Sequence, residues 1–225
     1  MITINFDKRF LLPYQKEFID DNTTPRLALV CGFGAGKSFI FIRKAFIKMI
    51  EAISPSDGLS HGWIIYPTAK LAKDIFIPEF TRLLMKTRIP FDYNKHEMKF
   101  TTKYGDLSIY TLHDPTKMVG TNLTYAGFDE FDTALESRCE IAWTNAIARL
   151  RGMENAQLFI VTTPEGYKVT YRKFVEDLEA DPTLKETRRL LRGKTTDNPY
   201  LPKSFIDNLI ADYPEKLREQ YMNGE

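Results

Sequence analysis

Residues 27–39, Leu-Ala-Leu-Val-Cys-Gly-Phe-Gly-Ala-Gly-Lys-Ser-Phe, read as an apolar strand running into a glycine loop and then a helix headed by Lys37 and Ser38. An uninterrupted apolar strand must be covered on both faces, which points to a sheet between helix layers. Gly32, Gly34 and Gly36, with Phe33 and Ala35 between them, let the backbone wrap a polyphosphate closely and aim several N–H groups at it, which β-carbons would obstruct. In such a loop Lys37 sets a point charge on the β- and γ-phosphates, Ser38 gives its hydroxyl to Mg²⁺, and the helix start presents its positive dipole end to the anion. The pattern points to ATP or GTP. The template G-x-x-x-x-G-K-[ST] has glycine where this chain has Cys31, so the match is partial, and a glycine turn without a ligand is the plainer alternative.

The remaining punctuation fits the same architecture. Residues 12–19 start at a proline and carry apolar residues at helical spacing, giving a short opening helix. The helix after the loop is expected over 37–53, a second apolar strand over 63–66, and a second helix over 69–86, bent at Pro78. Residues 97–102 and 107–112, separated by Lys-Tyr-Gly-Asp, read as a β-hairpin added to the sheet. Further strands are expected over 123–128, 157–162 and 186–192, with helices over 133–150 and 167–178 and one or two more between 202 and 221. Strands alternating with helices imply a mainly parallel, three-layer α/β sheet.

A chain of 225 residues with 43% hydrophobic and 27% charged residues suits one α/β domain. A net charge of +1 supplies no global basic field, so any contact with nucleic acid would come from a local patch. Cys31 and Cys139 are the only cysteines and suggest free thiols in a reducing compartment. His61, His96 and His113 are scattered, with no zinc-like spacing. The first ten residues lack a leader layout, and no stretch approaches the ~20 apolar residues of a membrane span, so a protein inside the cell and off the membrane is expected.

A phosphate loop becomes a hydrolase site when another strand brings carboxylates opposite it. Leu-Thr-Tyr-Ala-Gly-Phe at 123–128 is followed by Asp129 and Glu130. Asp129 is expected in the Mg²⁺ shell, and Glu130 as the group that polarises the attacking water. Alone, an Asp-Glu pair after an apolar strand is as readily a solvated loop; paired with the glycine loop it becomes a site. The strand at 157–162 ends in Thr162-Thr163-Pro164, whose hydroxyls would feel the γ-phosphate at the carboxyl edge of a parallel sheet, although Thr-Pro is also a plain strand stop.

Taken together these segments resemble the ATPase domain of the large terminase subunit, the DNA-packaging motor of tailed bacteriophages and related viruses. The resemblance rests on Tyr14-Gln15, similar to an adenine-reading glutamine motif, on the loop from Cys31 to Ser38, on Tyr66-Pro67-Thr68, and on Asp129-Glu130. It continues through Thr162-Thr163-Pro164 and through residues 196–202. It implies a three-layer P-loop NTPase of the ASCE, RecA-like type, with a core over 1–195 and a small helical lid over 196–225. The ending at 221–225 resembles the point where the family passes to a linker and nuclease domain. Glu130 and Lys37 would be catalytic, and Ser38 and Asp129 would hold Mg²⁺. Gln15, residues 32–38, Thr162 and Thr163 would bind ATP.

The implied partners are double-stranded DNA, the portal protein, the small terminase subunit and further copies of the chain. These copies would form a ring at the procapsid portal vertex in the host cytoplasm and be monomeric in isolation. Two positions depart from the family pattern: Phe33 and Val119 stand where the family carries arginines, the latter its inter-subunit finger. Lys117, Arg138, Arg149 and Arg151 are the candidate replacement cations, with Arg149 and Arg151 favoured because they end the helix that begins beside Glu130.

The basic run at 186–194 suits an edge strand kept soluble by charge, a reading preferred over a grip on DNA phosphates. No acidic cluster apart from Asp129-Glu130 suits two-metal cleavage, so no nuclease activity is expected. The alternatives are a helicase-like or other nucleic-acid remodelling ATPase, which would need a second motor domain, and a degenerate nucleotide-binding assembly module.

Overall fold

In the computed structural model, which describes residues 10–224, the apolar runs become strands of one eight-stranded sheet. Residues 1–9, which hold most of the segment read as lacking a leader, and Glu225 lie outside the described residues. The strands are β1 (Arg26–Cys31), β2 (Ser60–Tyr66), β3 (Phe91–Asn94), β4 (Lys99–Thr102), β5 (Gly105–Thr111), β6 (Tyr125–Asp129), β7 (Gln157–Thr162) and β8 (Arg188–Gly193). The helices are α1 (Pro13–Asp20), α2 (Lys37–Glu51), α3 (Ala69–Leu71), α4 (Ile77–Lys86), α5 (Glu136–Arg149), α6 (Val169–Tyr171), α7 (Asp177–Ala180), α8 (Lys203–Asp212) and α9 (Glu215–Arg218).

The sheet order is β3-β4-β5-β2-β6-β7-β1-β8, parallel from β5 through β8 and antiparallel at β4. Strands β6 and β7 are buried throughout, as strands covered on both faces must be. Leu27, Leu29 and Phe159 pack toward α1, α2 and α4, with Phe41, Phe46 and Phe80. Ala28, Phe128 and Ile160 pack toward α5 and α6, with Trp143 and Phe174. The helix layers close the three-layer sandwich expected from the alternating pattern. Among the described residues no helix is long and apolar enough to cross a membrane.

Three local features differ from the sequence pattern. The hairpin gains a third strand, β3, whose half-buried Phe91 and Tyr93 lean on Phe100, with the Tyr93 ring 4.4 Å from it. The helix over 69–86 contains a π turn at Ala72–Phe76 in place of a bend. It falls beside Pro78, which has no N–H for the i−4 bond and whose ring crowds that carbonyl. The helix expected from 133 starts at Glu136, because a 3₁₀ turn at Phe131–Thr133 first buries Phe131.

The basic strand β8 lies at the sheet edge, and its arginines are committed within the protein. Arg188 donates to Asp177 and to the Lys173 carbonyl, Arg189 bridges Glu17 and Asp21, and Arg192 donates to the Gly224 carbonyl. These bonds favour the edge-strand reading over a DNA grip.

Gly127, in the middle of β6, decides how closely α2 approaches the sheet beneath the loop. A Cβ there would sit 2.5 Å from Phe159 Cε2 and 2.9 Å from Phe41 Cε2. Gly127→Ala is therefore expected to lower stability by about 1–3 kcal/mol in chemical denaturation, through overpacking. An unchanged midpoint would mean that this contact is not tight.

Candidate functional site

In a parallel sheet every strand tip of the same direction comes to one edge. Here the loop after β1, the acid pair at the end of β6 and the Thr-Thr pair at the end of β7 meet there, with β7 between the other two. Pairing of Asp129 with Val161 and of Val30 with Thr162 sets these tips at nearly one height.

The loop is shaped by residues on both sides. Gly36 caps α2 at φ 75°, the left-handed region that favours glycine, and a Cβ there would meet Gln15 Nε2 at 2.5 Å. Gln15 Nε2 donates to the Ala35 carbonyl at 3.2 Å, its Oε1 accepts from Leu12 N, and the Tyr14 hydroxyl donates to the Ala35 carbonyl at 2.8 Å. The Gln15 carboxamide is thus a brace for the loop backbone. Cys31 accounts for the misfit with the template: its side chain is buried in the apolar core, and burial pushes its thiol up to about 12, so it behaves as a small neutral residue. Both Cys31 and Cys139 are free and buried. The backbone amides of Lys37 and Ser38 have no acceptor among the described residues, the ordinary condition of a helix N-terminus able to receive an anion.

Lys37 is buried, and its ammonium donates to the carbonyls of Cys31 at 3.4 Å and Gly32 at 3.1 Å. It lies 3.8 Å from Glu130 Oε1. Glu130 adopts φ 51°, ψ 47°, a left-handed conformation that is costly for a non-glycine residue and is held by its N–H donating to the Val161 carbonyl at 2.8 Å. Its other carboxylate oxygen accepts from the Thr163 backbone N–H at 3.3 Å. Glu130 therefore joins the loop lysine to the tip of β7.

Asp129 is fully buried, and neither carboxylate oxygen makes a hydrogen bond of ordinary geometry to any described residue. Burial and then the Glu130 charge push its carboxyl up to about 7, against a smaller opposite pull from the Tyr66 and Ser38 hydroxyls and Lys37. A buried carboxylate with unused oxygens, beside a serine on the opposing helix, fits a divalent cation. Among the described residues there is no group of three or more His, Cys, Asp or Glu that could cage a metal. One carboxylate and one hydroxyl, completed by phosphates and water, is the style of Mg²⁺.

The two threonines separate. The Thr162 hydroxyl is turned inward, donating to the Thr163 carbonyl at 3.0 Å and accepting from Asp132 N at 3.3 Å. Thr163, whose buried hydroxyl has no partner among the described residues, is the member beside Glu130. Asp132 in turn accepts from Thr170 N, tying the strand tips to α6.

The candidate cations do not cluster, and the reason for favouring Arg149 and Arg151 is corrected by the direction of α5. That helix starts at the carboxyl edge and runs 14 residues, about 21 Å, back to the opposite edge. There the Arg149 carbonyl accepts from Leu123 N and Arg151 bonds Asn122, just ahead of β6. Arg138, in the first turn of α5 beside His113, stands on the side of the acid pair. Lys117 is paired with Asp114 in a turn strapped to α5 through Asn145.

Fold and site together define an α/β protein of the P-loop type. The family described as "Terminase large subunit, T4likevirus-type, N-terminal" matches residues 28–225, and the chain belongs to it. No curated protein matches the chain. Among solved structures, the large terminase of a thermophilic bacteriophage superposes with a TM-score of 0.76 at 14% identity, over 95% of this chain and 53% of that one. The same thermophilic-phage protein in complex with ADP gives 0.71 at 16% identity, over 94% and 52%. The large terminase ATPase domain of Thermus phage P74-26 gives 0.72 at 16% identity, over 94% and 92%. At these identities the likeness is one of fold. The chain spans about half the length of the first of these terminases and most of the P74-26 ATPase domain.

The raised Asp129 pKa carries a pH signature. The unfolded carboxyl ionises near 3.8 and the folded one near 7, so its contribution to stability is full below about pH 4 and is lost as pH rises toward 7. Across that window the loss is on the order of a few kcal/mol. Relative to wild type without nucleotide or metal, Asp129→Asn is expected to gain stability as pH rises from about 4 to 7 and then to level off in thermal melts. A difference that stays constant with pH would show that Asp129 ionises normally.

Proposed function

We propose that this chain is the ATP-hydrolysing domain of a large terminase subunit, using Mg·ATP to drive double-stranded DNA into a viral capsid. The observation that carries the reading is the meeting, at one sheet edge, of a glycine loop with free helix-start amides, a buried carboxylate without a well-formed hydrogen bond, and Glu130 linking Lys37 to the tip of β7. Family membership supports the packaging role, and the thermophilic-phage terminase bound to ADP supports an adenine nucleotide as ligand.

The residues divide the work by position. The loop amides and Lys37 bind and orient the polyphosphate. Ser38 and Asp129 are the residues that would hold Mg²⁺, which when bound supplies positive charge against the phosphate oxygens. Glu130 orients a water for in-line attack on the γ-phosphate and accepts its proton. When Lys37 turns to phosphate, its contact with Glu130 changes, and the Thr163 N–H carries that change into β7. Gln15 keeps the loop in shape from behind. Arg138 is the cation best placed within the chain, whereas Lys117, Arg149 and Arg151 would serve only toward a neighbouring subunit.

In this reading residues 1–195 form the motor core and 196–225 its helical lid. The chain works as a ring on the portal, with the small terminase subunit and DNA as partners, in the host cytoplasm and off the membrane. It carries no nuclease activity of its own.

The test is Glu130→Gln. Steady-state Mg·ATP hydrolysis is expected to fall about 10²- to 10⁴-fold, the usual contribution of a positioned base, while ATPγS binding persists. Normal turnover by that variant would remove Glu130 from its role.

A further inference from the structure

The outer rim of the phosphate loop is held by the C-terminal segment. The Phe33 N–H donates to the Tyr221 carbonyl at 2.7 Å, the Thr195 hydroxyl donates to the Phe33 carbonyl at 2.7 Å, and the Asn198 amide donates to the Gly34 carbonyl at 2.7 Å. The Phe33 ring stacks on Tyr221 with centroids 4.8 Å apart and planes 15° from parallel. The Lys37 ammonium lies 5.9 Å from the centroid of the same Phe33 ring. One aromatic side chain thus touches both the phosphate-binding lysine and the last helical turn, Glu219–Asn223.

A glycine loop is costly to order, because each residue fixed loses backbone freedom. A loop whose rim is already bonded binds polyphosphate with less of that cost remaining.

We infer that the Phe33–Tyr221 stack, with the bonds from Thr195 and Asn198, is a latch that holds the loop in its phosphate-binding shape, and that Tyr221 is a positioning residue for the nucleotide site. The inference rests on the nucleotide-binding reading above. Coupling of this kind is reciprocal. If the latched loop binds nucleotide better, nucleotide must tighten the latch, and loosening Tyr221 must weaken nucleotide by the same factor. A purely structural stack would lower stability without linking the two.

The experiment is hydrogen exchange over residues 215–224 of the whole chain, with and without Mg·ATPγS, together with nucleotide dissociation constants. In wild type, nucleotide should slow exchange in this segment. Tyr221→Leu and Phe33→Leu should bind ATPγS about 5- to 20-fold more weakly, within the usual span of allosteric coupling, and lose the nucleotide-dependent protection. Tyr221→Phe keeps the ring and should behave as wild type. Asn198→Ala removes one bond at Gly34 and should shift affinity in the same direction by less, which serves if a leucine variant does not fold. Wild type that binds ATPγS without any change in exchange at 215–224 overturns the latch, as does unaltered affinity in Tyr221→Leu. Wild type that binds no nucleotide overturns the functional reading instead.

Discussion

The parallel pairing of β6, β7 and β1 is the constraint on which the rest of this structure depends. Because the three strands run the same way in fixed register, the end of each arrives at one edge, and the loop, the acid pair and the Thr-Thr tip become neighbours although they are far apart in sequence. Parallel strands need crossovers, and these are α2 and α5, which build the two apolar layers over the sheet. The packing that makes the sheet stable is therefore the same packing that aims its tips. Gly127 and Phe159, beneath the loop, belong to both tasks.

That edge concentrates polar groups that a core would not tolerate. Asp129 is buried without a hydrogen bond of ordinary geometry, Glu130 stands in a left-handed conformation, and the Lys37 ammonium rests on backbone carbonyls. Each is unfavourable by itself, and their coincidence at one sheet edge is the physical mark of a site. A polyphosphate with its cation would relieve two of them, giving Lys37 an anion and Asp129 a cation, and would give the α2 amides an acceptor. The C-terminal segment adds a second hold on the same loop from outside.

Much of this was legible in the sequence, for identifiable reasons. The β1–loop–α2 unit combines a buried strand, three glycines and a Lys-Ser pair within a dozen residues, and the acid pair follows an apolar run that can only be a covered strand. The short β3 was not legible, because a four-residue, half-exposed strand carries too little periodicity. The reach of Arg149 and Arg151 was not legible either, because spacing along a helix does not say that its far end lies at the other sheet edge. Gln15 was visible as a motif residue, but its bonds to loop carbonyls depend on how α1 packs against α2. The contacts of Phe33 with Tyr221 and of Gly34 with Asn198 join segments separated by most of the chain, and no local pattern marks them.

We propose that one sheet edge holds Mg²⁺ and ATP between the glycine loop and Asp129. The most direct measurement is a crystal structure of this chain grown with Mg²⁺ and ATPγS. Expected are the β- and γ-phosphates on the amides at the start of α2 with Lys37 turned to them, the cation between Ser38 and Asp129, and Glu130 facing the γ-phosphate. Nucleotide bound elsewhere, or a cation that contacts neither Ser38 nor Asp129, would contradict it.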